Sequence, residues 1–243
     1  MEITSVQNTK VKQWAKLHTK KGRDEEGRFL IEGEHLIQEA LQTGCVETIL
    51  IQDGYHTTLD VCADYVCHEQ VMKKLSKNPS GCQMMAVCTF PKLEIKQSQR
   101  LVLLDGIQDP GNMGTIIRTA LAFGYDGVIC SADCVDLYNE KTIRSTQGAL
   151  FKIAVKKVAL DQAIAKLKNE QVSIFAMALN DEALPMSSCD KPEKLAIILG
   201  NEGQGISDAI LEKADQSVKI EMNQFDSLNV AVAAGIGLYY FKK

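Results

Sequence analysis

Hydrophobic positions in the first 90 residues alternate between helical and strand spacing. Asn8-Thr9 has the form of a helix cap, and the apolar positions of residues 11–17 follow at helical intervals. Further helices are predicted over residues 36–41 and 71–75. Short apolar runs predict strands at residues 29–31, 46–51, 65–67 and 84–87. These elements would complete a small α/β unit by about residue 90.

Beyond a polar stretch at residues 91–100, strands and helices alternate regularly. Uninterrupted apolar runs predict strands at residues 101–104, 128–130, 174–179 and 195–199, and Val218-Lys219-Ile220 predicts a further strand. Helices are predicted at residues 116–123, 161–169, 207–214 and 229–241. Strands without polar positions, separated by helices, indicate a parallel sheet covered on both faces. We therefore expect an α/β protein with an N-terminal domain at residues 1–92 and a parallel-sheet domain at residues 98–243.

Composition narrows the class of protein without identifying it. The 243 residues are 45% hydrophobic and 24% charged, which excludes long disorder. The longest apolar run, residues 230–241, is too short for a membrane helix, and the N-terminus carries no apolar signal segment. Eight scattered cysteines form no Cys-x-x-Cys pair, so we expect reduced thiols in a cytoplasmic protein and no metal site.

The overall net charge of −4 conceals a basic segment near the N-terminus. Between residues 10 and 23 no acidic residue interrupts the cations, and a local cluster suffices to bind phosphate at physiological salt. The alternative is a solvated helix face. The cations are Lys10, Lys12, Lys16, Lys20, Lys21 and Arg23.

Three polar loops follow predicted strands, where parallel sheets bind ligands. The loop after Leu104 carries three glycines and leads into a helix containing Arg118. The loop after Leu199 has three glycines in six residues, and the loop after Ile220 precedes a small apolar helix that Ser227 or Asn229 could cap. None of them is a Walker A or Gly-x-Gly-x-x-Gly sequence, which argues against a nucleotide-dependent oxidoreductase.

Together the loops resemble the three motifs of the SpoU (TrmH-like) family of RNA 2′-O-ribose methyltransferases, in the SPOUT superfamily. The matching segments are Gly111-Asn112-Met113-Gly114 with Arg118-Thr119-Ala120, then Leu199-Gly200-Asn201-Glu202-Gly203-Gln204-Gly205-Ile206, then Ser227-Leu228-Asn229-Val230-Ala231. Residues 141–149 resemble a further family segment. More weakly, residues 3–33 resemble the family's ribosomal-protein-like RNA-binding domain.

The resemblance implies a deep trefoil knot, a homodimer and S-adenosylmethionine as cofactor, with no metal. It makes Arg118 the general base, or else a phosphate clamp, with Asn112, Ser227 and Asn229 orienting groups around it. We place Glu202 in the same catalytic set as an anchor for these groups. It assigns cofactor binding to Gly200, Ile220, Met222 and Leu228. We add RNA binding by the N-terminal cations and Arg144.

The intact catalytic set argues against a non-catalytic RNA-binding scaffold. A separate N-terminal domain favours ribosomal RNA as substrate, with transfer RNA as the alternative.

Overall fold

The computed structural model describes residues 1–223 and 227–242, which form two compact units. The first unit contains Met1–Lys92 and Tyr138–Phe151, and the second contains Leu93–Leu137 and Lys152–Lys243. The segment Tyr138–Phe151 differs from the expected boundaries, because the sequence places it within the second domain.

The first unit is built on a mixed sheet. Its strands are β1 (Glu2–Ile3), β2 (Arg28–Glu32), β3 (Val46–Gln52), β4 (Tyr65–Cys67) and β5 (Met84–Thr89), in the order β1-β4-β3-β5-β2. β5 runs antiparallel to both β2 and β3. Its helices include α1 (Thr9–Lys16), α2 (Lys20–Glu26), α3 (Glu34–Leu41) and α4 (Glu69–Leu75).

The second unit contains the predicted parallel sheet, which is confirmed. Its strands are β6 (Arg100–Asp105), β7 (Gly127–Cys130), β8 (Ala154–Lys157), β9 (Ser173–Met177), β10 (Leu184–Pro185), β11 (Leu195–Gly200) and β12 (Gln216–Lys219). They lie in the order β10-β12-β9-β11-β6-β7-β8, and every registered pair is parallel.

Helices cover the second sheet. The second unit contains α5 (Pro110–Ala122), α7 (Leu160–Asn169), α8 (Asp208–Leu211) and α9 (Val230–Tyr240), whereas α6 (Glu140–Thr146) belongs to the first unit. Leu103 and Ile198 of the central strands pack with Ile164 of α7 and Ile210 of α8 in one hydrophobic cluster. Helix α9 packs against α5 and β11. No helix in the described ranges is long and apolar enough to span a membrane.

The segment 138–151 belongs to the first unit because its aromatic residues pack there. The ring centroid of Phe29 lies 4.7 Å from that of Tyr138 and 6.3 Å from that of Phe151. Tyr138 also contacts Phe90, at 4.3 Å. The segment contains α6, which packs against β2. The chain therefore leaves the second unit after Leu137 and re-enters it at Lys152.

Three helices differ from their predicted extents. Helix α5 begins at Pro110 instead of residue 116, because proline suits a first helical position and the Asp109 side chain accepts a hydrogen bond from the Asn112 amide at 2.8 Å. The basic N-terminal segment is two helices, since Thr19 caps α2 separately. The predicted helix at residues 207–214 is only α8, four residues long.

Candidate active site

The loops after β6 and β11 emerge side by side. These strands are neighbours in register, with Leu199 opposite Leu104 and Gly200 opposite Asp105. Asp105 fixes the second loop by accepting hydrogen bonds from the Ser207 amide at 2.9 Å and its hydroxyl at 2.7 Å. The carboxyl edge of the sheet therefore holds two of the three predicted motifs together.

Glu202 connects the second motif to the start of α5. Its carboxylate accepts hydrogen bonds from the Gln108 amide at 3.2 Å, the Asp109 amide at 3.1 Å and the Asn112 side-chain amide at 3.0 Å. Desolvation raises the pKa of Glu202, but these hydrogen bonds outweigh it and leave the pKa below its ordinary value. An ionised Glu202 therefore anchors the first motif.

Asn229 brings in the third motif. Its Oδ1 accepts hydrogen bonds from the amides of Ala231 at 2.9 Å and Val232 at 3.3 Å, which caps α9. Its Nδ2 donates to Oδ1 of Asn112 at 3.1 Å. Asn229 thus serves as a helix cap and also completes a hydrogen-bonded chain, Glu202–Asn112–Asn229, that joins all three motifs.

Two glycines allow the loops to approach this closely. Gly106 has a φ of +69°, and Nδ2 of Asn201 donates to its carbonyl oxygen at 2.7 Å. A Cβ at Gly200 would lie 2.2 Å from the backbone of Gly205 and Ile206, so a side chain is excluded there. The second motif therefore folds back on itself as a narrow loop.

A cavity of about 650 Å³ lies beside this network. Its lining includes all four predicted cofactor-binding residues and three of the predicted catalytic residues. These are Gly200, Ile220, Met222, Leu228, Glu202, Ser227 and Asn229. The volume lies within the range of small-molecule sites, and a lining of apolar side chains with glycine-loop backbone suits an adenosine group. The residues present therefore fit S-adenosylmethionine.

Arg118 is not part of the cavity lining or the hydrogen-bonded chain. It is exposed on α5, six residues after Asn112, which corresponds to a rise of about 9 Å along the helix. Its guanidinium forms no hydrogen bond or ion pair within the described residues. Asn112 also lies outside the cavity lining, but its side chain bonds two residues that line it.

Six of the seven predicted RNA-binding cations are exposed. Lys10, Lys12 and Lys16 are exposed on α1. Lys20 and Lys21 are also exposed, but they form ion pairs with Asp24 and Glu25 four residues later. Arg144 is exposed on α6, in the first unit.

The prediction that Arg23 binds RNA is wrong. Arg23 is only 5% exposed, and its guanidinium donates to the carbonyl oxygen of Leu17 at 2.7 Å. The side chain stabilises the turn between α1 and α2 instead of facing a phosphate.

One wall of the cavity is absent from the sequence prediction. Met177, Ala178, Leu179 and Asn180, at and after the end of β9, line it. The sequence carries no glycine-rich or charged signal there. The strand order supplies the missing information, because β9 lies between β11 and β12 and its carboxyl end must meet theirs.

The cysteines and the potential metal ligands were also examined as candidate sites. The eight cysteines are free. Among residues 1–223 and 227–242, no group of three or more His, Cys, Asp or Glu side chains could hold a metal ion.

Comparisons with known proteins agree with this geometry. The sequence model of the SpoU rRNA Methylase family matches residues 99–239, and that of the MRM3-like substrate binding domain matches residues 8–86. The chain is 40% identical to the 23S rRNA (guanosine(2553)-2′-O)-methyltransferase RlmP of Bacillus subtilis (strain 168), over 99% of each chain.

Solved structures give the same result. The AdoMet-bound rRNA methyltransferase from Sinorhizobium meliloti superposes with a TM-score of 0.86 at 26% identity, covering 99% of this chain and 96% of that one. The SpoU methyltransferase AviRb from Streptomyces viridochromogenes, in complex with AdoMet, has a TM-score of 0.86 at 25% identity, covering 96% and 97%.

The chain belongs to the SpoU rRNA methylase family. It is an S-adenosylmethionine-dependent RNA 2′-O-ribose methyltransferase, as the motifs predict.

Proposed function

We propose that this enzyme methylates a ribose 2′-hydroxyl of large-subunit ribosomal RNA. The observation that carries the proposal is the Glu202–Asn112–Asn229 chain, which joins the three motifs beside a cofactor-sized cavity. The Bacillus subtilis relative is named for guanosine 2553 of 23S rRNA and matches over nearly the whole chain. The corresponding guanosine is our first candidate substrate.

The proposed chemistry is methyl transfer from a sulfonium to an alcohol oxygen. S-adenosylmethionine supplies the methyl group, and Gly200, Ile220, Met222 and Leu228 would hold it. Ser227 and Asn229 would orient the ribose at the cavity edge, while Asn112 links Asn229 to Glu202. Holding the reacting groups in line is expected to supply much of the rate.

We assign Arg118 to the RNA side of the reaction. A guanidinium keeps its proton in proteins, and its planar fork matches a phosphate. The exposed position of Arg118 on α5 suits contact with the phosphate beside the reacting ribose. Proton removal from the 2′-hydroxyl would then depend on that phosphate–Arg118 pair.

The family assignment leads to proposals about the domains, the knot and the cellular location. We propose that the methyltransferase domain, predicted from the sequence at residues 98–243, contains a deep trefoil knot, and that the N-terminal domain, predicted at residues 1–92, binds RNA; the segment 138–151 is assigned to the first unit. The enzyme would act on ribosomal RNA in the cytoplasm.

We also propose a homodimer, supported by an apolar stripe on α9. Val232, Ile236 and Tyr239 recur at helical intervals and are 51%, 37% and 57% exposed. A contiguous apolar face of this kind marks an interaction surface.

Methyl transfer to defined transcripts tests the substrate. Purified enzyme with labelled S-adenosylmethionine should methylate a 23S rRNA fragment containing the candidate guanosine. The same fragment with a 2′-deoxy residue at that position is the matched control and should accept no label. Label retained by the control would place the modification elsewhere, and labelling of transfer RNA alone would establish the alternative substrate class.

Mapping in cells completes the test. Deletion of the gene should remove one 2′-O-methyl group from large-subunit rRNA, and the intact gene should restore it. An unchanged rRNA methylation map in the deletion strain would contradict the ribosomal substrate.

A further inference from the structure

A second cavity, of about 150 Å³, lies in the first unit between α1 and the sheet. Trp14, Leu17 and Val87 form its apolar part and are at most 8% exposed. A cavity of this volume holds about one six-membered ring, so its ligand is a small ring or one edge of a larger one. The other lining residues are polar or charged: Lys10, Gln13, Glu26, Arg28, Glu47 and Thr48.

The backbone of β3 is irregular where it borders this cavity. Val46 pairs with Cys88 and Thr48 pairs with Val87, so Glu47 is an extra residue in the strand. Neighbouring side chains of a regular strand point to opposite faces, whereas Glu47 and Thr48 both line the cavity. Bulges of this kind commonly redirect a side chain at functional sites. The bulge therefore explains how Glu47 reaches the cavity.

The charges around the cavity are balanced. Arg28 Nε donates to Oε2 of Glu47, and Arg28 Nη1 lies 3.9 Å from Oε2 of Glu26. The side chains of Arg28 and Glu47 are 44% and 36% exposed, so the pair faces water and the carboxylate has lone pairs left to accept further hydrogen bonds. Lys10 Nζ lies 5.3 Å from the centroid of the Tyr65 ring, within cation–π range. Two cations beside two carboxylates suit a neutral ligand that both donates and accepts, because the carboxylates would repel an anion.

Guanine has this pattern on the edge of its six-membered ring. Its N1–H and exocyclic amino group are adjacent donors that one carboxylate can accept together, and its O6 accepts a hydrogen bond from a lysine. Adenine presents an acceptor nitrogen at N1, which a carboxylate would repel. Lys12 and Lys16, exposed on α1, carry no ion pair among the described residues and are available to neighbouring phosphates. A guanine within an RNA strand therefore fits this surface.

We propose that this cavity is a binding site for an unpaired guanine base of the RNA substrate. Glu47 accepts hydrogen bonds from N1–H and the amino group, Lys10 donates to O6, and the apolar part of the cavity contacts the ring. The inference rests on the proposed function, because it requires the first unit to bind RNA. The site selects RNA and takes no part in methyl transfer.

Binding of short RNAs to the full chain tests this site without any turnover. The probes are fluorescent oligouridylates that carry one central guanosine, inosine or adenosine. The parent should bind the guanosine probe about tenfold more tightly than the adenosine probe, which lies within the range for one bidentate base contact. Inosine lacks only the 2-amino group, so its affinity should fall between the two. This comparison changes the probe alone and does not depend on the folding of any variant.

Glu47→Gln should abolish the preference, because the amide NH₂ replaces one acceptor and faces a donor of the base. Glu25→Gln is the matched control, since Glu25 also pairs with a lysine, Lys21, but does not line the cavity. This control should keep the preference. Arg118→Ala should keep it as well, because Arg118 lies in the second unit.

Four results would overturn the guanine site. The first is equal affinity of the parent for all three probes, and the second is a preference that persists in Glu47→Gln. The third is a preference lost in Arg118→Ala, which would place guanine recognition at the catalytic site. The fourth is guanosine monophosphate that competes as well as the guanosine probe, which would identify a free nucleotide as the ligand.

Methylation of the 23S rRNA fragment is a separate readout. A parent that methylates this fragment without preferring the guanosine probe contradicts only the guanine site. A parent that does not methylate the fragment contradicts the proposed function, whatever its affinities for the probes.

Discussion

Glu202 illustrates how a residue in a catalytic motif can act through structure. Its carboxylate accepts hydrogen bonds from the two amides directly before α5, those of Gln108 and Asp109, and it also holds the Asn112 side chain. A negative charge near this helix terminus is further favoured by the helix dipole. Glu202 is therefore a positioning residue, and its loss should affect both stability and activity.

Glu202→Gln should destabilise the protein at neutral pH by about 1 kcal/mol. A neutral amide accepts weaker hydrogen bonds than a carboxylate, and partial solvation of the site keeps the loss small. The pKa of Glu202 is lowered in the folded state from an ordinary value of 4.5. Its stabilisation is therefore full above that value and disappears as pH falls through the folded pKa. Urea unfolding should show the parent and variant converging in acid.

The exposed Glu182 provides a control for this comparison. Glu182→Gln should leave the free energy of unfolding unchanged across the same pH range. If Glu202→Gln were as stable as the parent at pH 7, the result would contradict the anchoring role of Glu202.

Arg118→Ala should lower the rate of methyl transfer by at least about 100-fold, as expected for loss of a group that assists proton transfer or holds the reacting phosphate. Cofactor affinity should not change, because Arg118 lies outside the cavity lining. Arg118→Lys should also fail, since an ammonium lacks the planar fork. Single-turnover kinetics and calorimetry measure the two quantities, and near-normal turnover in either variant would refute the assignment.

At the scale of elements, the lysines of α1 and those of α2 differ in their ion pairing. Lys12→Gln with Lys16→Gln removes two cations that carry no ion pair among the described residues. If each contacts a phosphate, the slope of log K against log salt should flatten by about 1.4 for single-stranded RNA. Salt titrations of RNA binding measure this slope.

The pair Lys20→Gln and Lys21→Gln is the matched control, because both lysines are already paired with acids. It should change the slope less. Equal slopes in the parent and the Lys12, Lys16 variant would identify the lysines of α1 as a solvated face.

Helix α9 carries the second prediction at this scale. Ile236→Asp places a charge in the exposed apolar stripe and should dissociate the proposed dimer at micromolar concentration. Val158 serves as the control because it is also exposed (43%), directly follows β8 and is not part of α9. Val158→Asp should therefore leave assembly unchanged. Sedimentation equilibrium would contradict the interface if the parent were monomeric or if both variants stayed dimeric.

Hydrophobic periodicity predicted the central strands but missed the start of α5, and both outcomes have a physical reason. The central strands β6 and β11 were predictable because they are buried on both faces and their interiors contain only apolar residues. The start of α5 was missed because Gly111 and Gly114 are typical of loops, whereas the Asp109 cap and Pro110 determine the helix start.

Across the whole molecule, the motif loops were predictable and the pairing between distant strands was not. Glu202, Asn112 and Asn229 could be assigned to one site because each follows a strand of the same sheet. The wall at Met177–Asn180 depends on β9 lying between β11 and β12, which periodicity does not specify. Likewise, no local signal shows that Phe151 packs on Phe29.

That packing leads to a prediction about the domain boundary. A fragment of residues 93–243 retains Tyr138–Phe151 but lacks the first-unit residues against which this segment packs. Ile143, Leu150 and Phe151 are at most 3% exposed in the full chain, and exposing each would forfeit about 1.5–3 kcal/mol. The fragment should therefore unfold at a lower temperature than the full chain and bind a hydrophobic dye.

A matched fragment shows whether the segment itself is responsible. Replacing residues 138–151 with a Gly/Ser linker of equal length removes the apolar side chains while keeping both chain connections to β7 and β8. This second fragment should bind less dye than the first, because the flexible linker has nothing to bury. If the unaltered fragment were as stable as the full chain and bound no dye, residues 138–151 would fold with the second unit, as the boundary at residue 98 predicts.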